Sequence, residues 1–291
     1  METRLVIIIA LLVLVCSFCP GTKQEISTPV IGMDHIPIVV KNLDSAAYLY
    51  KTLGFSLKKG KPHLNGIVNQ HVKFPNGTEL ELITAHDAKD SLTTEYLSHL
   101  REGEGPLYFG LFASDMATVA GQLNAAHNTY ERKQGLIGFP PEHGCHSLFF
   151  GSRNFSPTDK PEHFAHKNTA FALIKVWLAP DEAMEYRNLL QALGINMKQQ
   201  QVDFSSSQTV AQVARLKEGE IILLSRSFQV VPGHVVVGAT VQVKNIQTTK
   251  AVLNQSGFET PDIIKGKGGS QSLFLPAHIT HGLWLEFVQV Q

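Results

Sequence analysis

Apolar and polar positions along the chain follow a recurring grammar. A β-branched run, His35 to Val40, precedes a stretch with apolar residues at helical spacing, Ala46, Leu49 and Leu53, which stops at Gly54. A glycine there suits the left-handed residue that closes a helix. The same order returns 203 positions later: Val40 to Phe55 (VKNLDSAAYLYKTLGF) aligns without gaps on Val243 to Phe258 (VKNIQTTKAVLNQSGF). The two share a Val-Lys-Asn start, a Leu43/Ile246 pair and a Gly-Phe end. Further on, Glu79 to Ile83 (ELELI) is answered by Trp284 to Val288 (WLEFV), which sets Glu81 against Glu286 at an offset of 205.

Two weaker copies lie between them. Leu107 to Ala113 followed by Asp115 to Ala126 reads strand then helix, as does Ala170 to Leu178 followed by Asp181 to Leu193. Short β-rich runs follow each helix, including Ile67 to Phe74, Ser147 to Phe150, Val210 to Leu216 and Ser272 to Leu275. Four units of about 67 residues, each β-α-β-β-β, account for the chain. A unit of that size has one apolar sheet face that it cannot bury alone. The predicted fold is therefore α+β: four βαβββ modules that pair into curved mixed sheets with helices outside.

The first segment does not fit the repeat. One cation, Arg4, precedes an unbroken apolar run from Leu5 to Val15, then Cys16, Ser17, Phe18, Cys19, Pro20 and Gly21. This pattern predicts a secretory signal peptide over residues 1–21, and hence a secreted or periplasmic mature protein. At ~1.5 Å per residue the run covers about half a hydrocarbon core, too little for a good membrane span. Lipidation at Cys16 or Cys19 is the minor alternative, and membrane contact is expected only through this segment if it stays uncleaved or lipidated.

Composition changes the picture in three places. Lys plus Arg and Asp plus Glu are 25 each among 291 residues, and removing the first 21 takes Glu2 and Arg4 together, leaving 24 of each. Neutrality argues against nucleic acid as a partner and for a small molecule recognised by shape. Only Cys145 remains after position 21, so no intramolecular disulfide holds the fold. The 13 histidines are the one compositional excess, in the side chain that most often binds metals and moves protons.

Four stretches carry a resemblance to a known family: MDHIPIVVKNLDSAAYLYKTLGF, GIVNQHVKFPNGTELELI, GLFASDMATVAGQLNAAHN, and the closing SLFLPAHITHGLWLEFV. They resemble the glyoxalase-like domain of the vicinal oxygen chelate superfamily. That resemblance implies paired modules whose sheets curl around an open mouth for a small molecule, often with a divalent metal (Zn, Mn, Fe, Ni or Mg). His35 matches the first-strand metal ligand, and Glu81 the last-strand carboxylate and candidate catalytic group. Such a pair leaves a divalent ion open to water and to a chelating substrate. Glu286 is the corresponding glutamate of the last module. It becomes a third ligand only if the first and last modules share a bowl. Asn69 and His71 resemble the polar inward face of the family, and His166 with Asn168 either lines the mouth or closes a turn.

The departures matter as much. At the His35 position the last module has Gly238, and the nearest residues in the second and third modules are Phe109 and Lys175. Two ligands are too few for a tight catalytic centre. His143, Cys145 and His146 form a soft cluster whose spacing matches no zinc motif. Gly266 to Ser270 (GKGGS) precedes an apolar run and not a helix, so it has no phosphate site. The sequence predicts one glyoxalase-like domain over 22–165 (modules 1 and 2) and a second over 166–291 (modules 3 and 4). Two functions follow: metal-chelate lyase, isomerase or dioxygenase chemistry at His35 and Glu81, or metal-free small-molecule binding or sequestration on the same scaffold. A homodimer through exposed sheet edges is also expected.

Overall fold

The computed structural model describes residues 28–290, so the predicted signal segment lies outside the described residues. Module 1 contains β1 (Val30–Met33), β2 (His35–Val39), α1 (Leu43–Thr52), β3 (Lys58–Lys59), β4 (Val68–Lys73) and β5 (Glu79–Thr84). An additional helix, α2 (Ser91–Glu102), leads to module 2: β6 (Gly105–Pro106), β7 (Phe109–Ala113), α3 (Met116–Ala125), β8 (Glu131–Lys133), β9 (Leu136–Gly138) and β10 (Leu148–Gly151). Module 3 is β11 (Ala170–Leu178), α4 (Ala183–Ala192), β12 (Met197–Phe204), β13 (Ser207–Leu216) and β14 (Gly219–Leu223). Module 4 is β15 (Val236–Val243), α5 (Ile246–Gln255), β16 (Ile264–Lys265), β17 (Gln271–Leu275) and β18 (Trp284–Gln289).

The four modules share one wiring. In each, the first strand runs parallel to the last, as β2/β5, β7/β10, β11/β14 and β15/β18, and the remaining two strands follow antiparallel outward. Local sequence sets these units: Asn42, Asp115 and Asn245 cap α1, α3 and α5 by accepting backbone N–H groups of the first turn. Gly54 and Gly257 follow α1 and α5 at φ 91 and 84, the left-handed region that glycine enters without strain. These are the glycines of the repeat.

Modules 1 and 2 pair through a break in the chain's first strand. β1 joins β7 antiparallel, Asp34 interrupts, and β2 joins β5 and β6, so one continuous segment serves two five-stranded sheets. Modules 3 and 4 meet directly through antiparallel β11 and β15 in one eight-stranded sheet. Alternate residues face opposite ways along a strand. Ile36, Ile38, Leu80 and Leu82 turn toward α1 into a core that runs through all four modules, whereas His35, Pro37, Glu81 and Ile83 turn to the concave side. The helices join the halves: Tyr186 of α4 meets the Ser147 hydroxyl at 2.6 Å, and Tyr50 of α1 lies 3.5 Å from the Thr280 carbonyl. No helix among the described residues is long and apolar enough to cross a membrane.

Candidate ligand-binding site

The concave faces of modules 1 and 2 enclose a half-open cavity of about 880 Å³, with α2 forming one wall. At its base His35 sits between two carboxylates, Nδ1 3.2 Å from Asp34 and Nε2 3.7 Å from Glu81. Burial by itself would lower the pKa of this ring. The hydrogen bond and charge of Asp34, with the charges of Glu81 and Glu79, outweigh it and hold His35 up to about 9. Glu81 is 8% exposed; the Asn69 side-chain amide donates to its Oε1, while Oε2 has only the His35 ring, beyond hydrogen-bond range.

A second polar group lines the same cavity. The Tyr108 hydroxyl and the His146 ring both donate to Glu95 of α2, the latter at 2.5 Å, and His146 Nδ1 donates to the Phe139 carbonyl at 2.7 Å. With Nδ1 donating to a carbonyl, Nε2 needs its own proton to face a carboxylate, so this histidine is an imidazolium. Its hydrogen bond to Glu95 is the main cause that raises its pKa. Burial would raise that of Glu95, but His146 and Tyr108 hold the carboxyl below the usual range. Tyr96, Phe139 and Phe149 line the same cavity.

Repeat register explains what each wall contributes. His35 stands seven residues before the cap Asn42; the same step before Asp115, Glu182 and Asn245 reaches Tyr108, Lys175 and Gly238. Tyr108, and not Phe109, therefore occupies the His35 position of module 2; Phe109 points into the core. The parallel ladders place Phe149, Ile222 and Glu286 where module 1 has Glu81.

Glu286 and His35 do not meet, because module 4 pairs with module 3. Glu286 is buried in the other half, where Thr240 donates to it at 2.5 Å and Trp177 donates to Thr240 at 2.8 Å. Burial raises the Glu286 pKa against the opposing pull of Lys175, Thr240 and Ser272. In that half Trp177, Phe204 and Phe274 pack together on the face that corresponds to the bowl. A Cβ on Gly238 would stand 3.2 Å from the Trp177 ring, so the glycine makes room for the tryptophan.

His166 also lies away from the cavity. Its Nδ1 accepts the Ser56 backbone N–H and its Nε2 donates to the Lys73 carbonyl, each at 2.9 Å, and the ring packs between Phe55 and Phe74. It fastens the segment between the halves onto module 1, and Asn168 does the same through the Leu53 carbonyl. His71 shares the inward face, opposite Glu81 in the ladder, but turns to Glu79 at 3.2 Å and does not line the cavity. The soft cluster separates: Cys145 is buried in the core, His143 Nδ1 accepts the Cys145 backbone N–H, and His146 belongs to Glu95.

A divalent ion finds two donors here and lacks the rest. Asp34 behind the ring of His35 is the outer partner a ligating histidine commonly has. The two equivalent positions across the bowl, however, are a phenol and a phenyl ring. No group of three or more His, Cys, Asp or Glu side chains among the described residues is arranged to hold a metal ion.

Asp34, Glu95 and Tyr108 escaped the sequence reading. Counting back from the cap Asp115 would have found Tyr108. The Asp90/Thr93 capping box and the spacing of Leu92, Tyr96 and Leu100 mark α2, and with it Glu95.

Paired βαβββ modules curled around a polar-based bowl define a protein of the vicinal oxygen chelate class. The chain belongs to the Glyoxalase-like domain family, whose sequence profile matches residues 33–194. Among solved structures, the fold is similar to a mutant 4-hydroxymandelate synthase from Streptomyces coelicolor, at 12% identity and TM-score 0.68, over 90% of this chain and 93% of that one. It is also similar to a catechol 2,3-dioxygenase, at 11% identity and TM-score 0.63, over 90% and 89%. A hypothetical protein from Staphylococcus aureus is similar over 90% of this chain and all of its own, at 14% identity and TM-score 0.56. No curated protein sequence matches the chain.

Proposed function

We propose that the chain binds a small oxygenated molecule in the bowl of modules 1 and 2, against His35 and Glu81, and does so without a metal, as a binding or sequestering protein. The observation that carries this reading is the pair Tyr108 and Phe149, which stand where further donors would have to stand. Glu81 Oε2 and the Tyr108 oxygen accept hydrogen bonds from the ligand, and the aromatic walls cover its apolar part. A thermal-shift screen of metabolites on chelator-treated protein tests it. Stabilisation by a ligand that is lost in His35→Ala and Glu81→Ala is expected, and turnover of a substrate that depends on added metal would defeat it.

A second reading has an observation of its own. Asp34, His35 and Glu81 in line resemble an oriented histidine and carboxylate awaiting a cation, which supports metal-dependent lyase, isomerase or dioxygenase chemistry with Glu81 as a catalytic group. Of the similar solved structures, the catechol 2,3-dioxygenase is named for the last of these. Metal analysis of the purified protein and of both alanine variants decides between the readings. The sequence pattern of residues 1–21 further supports export, tested by fractionation and N-terminal sequencing of the mature protein.

A further inference from the structure

The charge of the bowl's lining limits what can enter it. Four carboxylates, Glu81, Asp90, Glu95 and Glu131, line the cavity against one lysine, Lys133. Even with His35, His63 and His146 all protonated, the cations only equal the carboxylates, and Asp34 then stands directly behind His35. His35 and His146 are moreover committed to carboxylates already, so neither offers a free positive charge to an incoming anion. A ligand carboxylate or phosphate would meet net repulsion here.

Two further features point the opposite way. Glu81, its side chain only 11% exposed, has one oxygen held by Asn69 and the other within hydrogen-bond range of no donor, the His35 ring standing 3.7 Å away. The rings of Tyr96, Tyr108, Phe139 and Phe149 line the same space. Aromatic faces attract cations through their quadrupole, and the attraction grows as water is excluded. We propose that the molecule this bowl takes is an organic cation, an amine or quaternary ammonium on an apolar or aromatic body, with its charge between Glu81 and the aromatic walls. This rests on the metal-free reading of the site, since a bound divalent ion would reverse the local charge.

Calorimetric titration of the chelator-treated full chain with three probes of similar size tests it: benzyltrimethylammonium, benzyl alcohol and phenylacetate. The cation is expected to bind about tenfold or more tighter than the alcohol, phenylacetate not measurably, and Glu81→Gln to weaken the cation by roughly tenfold. Glu95→Gln, at a less buried carboxylate, gives the same direction should Glu81→Gln fail to fold. Phenylacetate binding that equals or exceeds the cation's overturns the proposal while leaving ligand binding in the bowl intact. Absence of binding by all three also overturns it, and the metabolite screen still decides the broader reading.

Discussion

The Phe149 ring lies against the His35 imidazole, centroids 4.9 Å apart at 58°, so a module 2 residue closes the space beside the one histidine that resembles a metal ligand. In the repeat register Phe149 is the counterpart of Glu81, and Tyr108 the counterpart of His35. The bowl thus keeps one module's polar pair and answers it with aromatic rings.

Tyr108→His should move the site toward metal binding by supplying a third donor. Zinc or nickel affinity by calorimetry is expected to rise at least about tenfold, or roughly 1.4 kcal/mol, over the wild type. Equal affinities would show that the bowl is too wide at this point for one ion to reach both walls.

His35 should make stability depend on alkaline pH. Its folded pKa, about 9, lies above the unfolded value of 6.5, so the folded state holds the proton more tightly. The contribution is full below pH 6.5 and disappears as pH rises through 9. The shift corresponds to about 3 kcal/mol at most, and screening of a side chain 21% exposed reduces it to on the order of 1–2 kcal/mol. Urea midpoints of wild type and His35→Gln should differ more at pH 6 than at pH 10. His71, also shifted upward, is present in both proteins, and because it shares Glu79 with His35 the same comparison in a His71→Gln background isolates His35.

Much of this architecture was legible in the sequence because repetition wrote it several times. Asn42 and Asn245 cap equivalent helices, and the aligned strands return with the same wiring. The site was less legible for a physical reason: its residues come from three chain segments that only the pairing of modules 1 and 2 brings together. His35 and Glu81 share a module, so their pairing follows from local register. Glu95 comes from a helix outside the repeat, and Glu286 looked equivalent to Glu81 because local register is blind to which modules pair. β12, five of whose eight residues are polar (Lys198, Gln199, Gln200, Gln201 and Asp203), gave no apolar alternation to read. His166 illustrates the same limit from the other side, since a histidine that satisfies two backbone groups has the same sequence signature as one that meets a ligand.

Gly60→Ala should disable the site by displacing Asn69, with some strain where the chain beside β3 meets β4. A Cβ there would stand 1.6 Å from the Asn69 side-chain oxygen and 2.8 Å from its carbonyl, so Asn69 must leave Glu81. Benzyltrimethylammonium binding is expected to fall about tenfold, the scale of one charge-assisted hydrogen bond. Gly121→Ala, in α3 with open space around it, is the control and should be neutral or stabilising by about 0.5–1 kcal/mol. Unchanged binding in Gly60→Ala would remove Asn69 from the site.

Trp177 should matter to the fold and not to the ligand. It fills the concave face of modules 3 and 4 together with Phe204 and Phe274. Trp177→Ala is expected to cost about 3–5 kcal/mol by denaturant titration. At temperatures where the variant remains folded, affinity in the first bowl should match wild type; a parallel loss of both would mean that the halves are more tightly coupled than their separate sheets suggest.

The stacked rings of His99 and His234, 3.6 Å apart at 14°, should set the acid limit of stability. His99 closes α2, His234 leads into β15, and the stack therefore bridges the two halves. Burial first, and the charge of His234 second, push the His99 pKa down to about 4, while burial also lowers that of His234. Both rings are neutral in the folded protein at pH 7, and the unfolded chain takes up protons near 6.5. Their contribution is present above that value and is lost as pH falls toward 4. For His99, buried to 7% exposure, the loss is on the order of 2 kcal/mol. Glu104, held low chiefly by its hydrogen bond from His281, adds to the same acid slope. The comparison must therefore be with a variant that leaves Glu104 in place. His234→Phe keeps an aromatic ring on His99 and removes one titrating group with its repulsion. Its stability should fall less than that of the wild type between pH 6.5 and 4 in paired urea titrations. An equal fall in both proteins would assign the acid limit to Glu104 and its neighbours, and not to the stack.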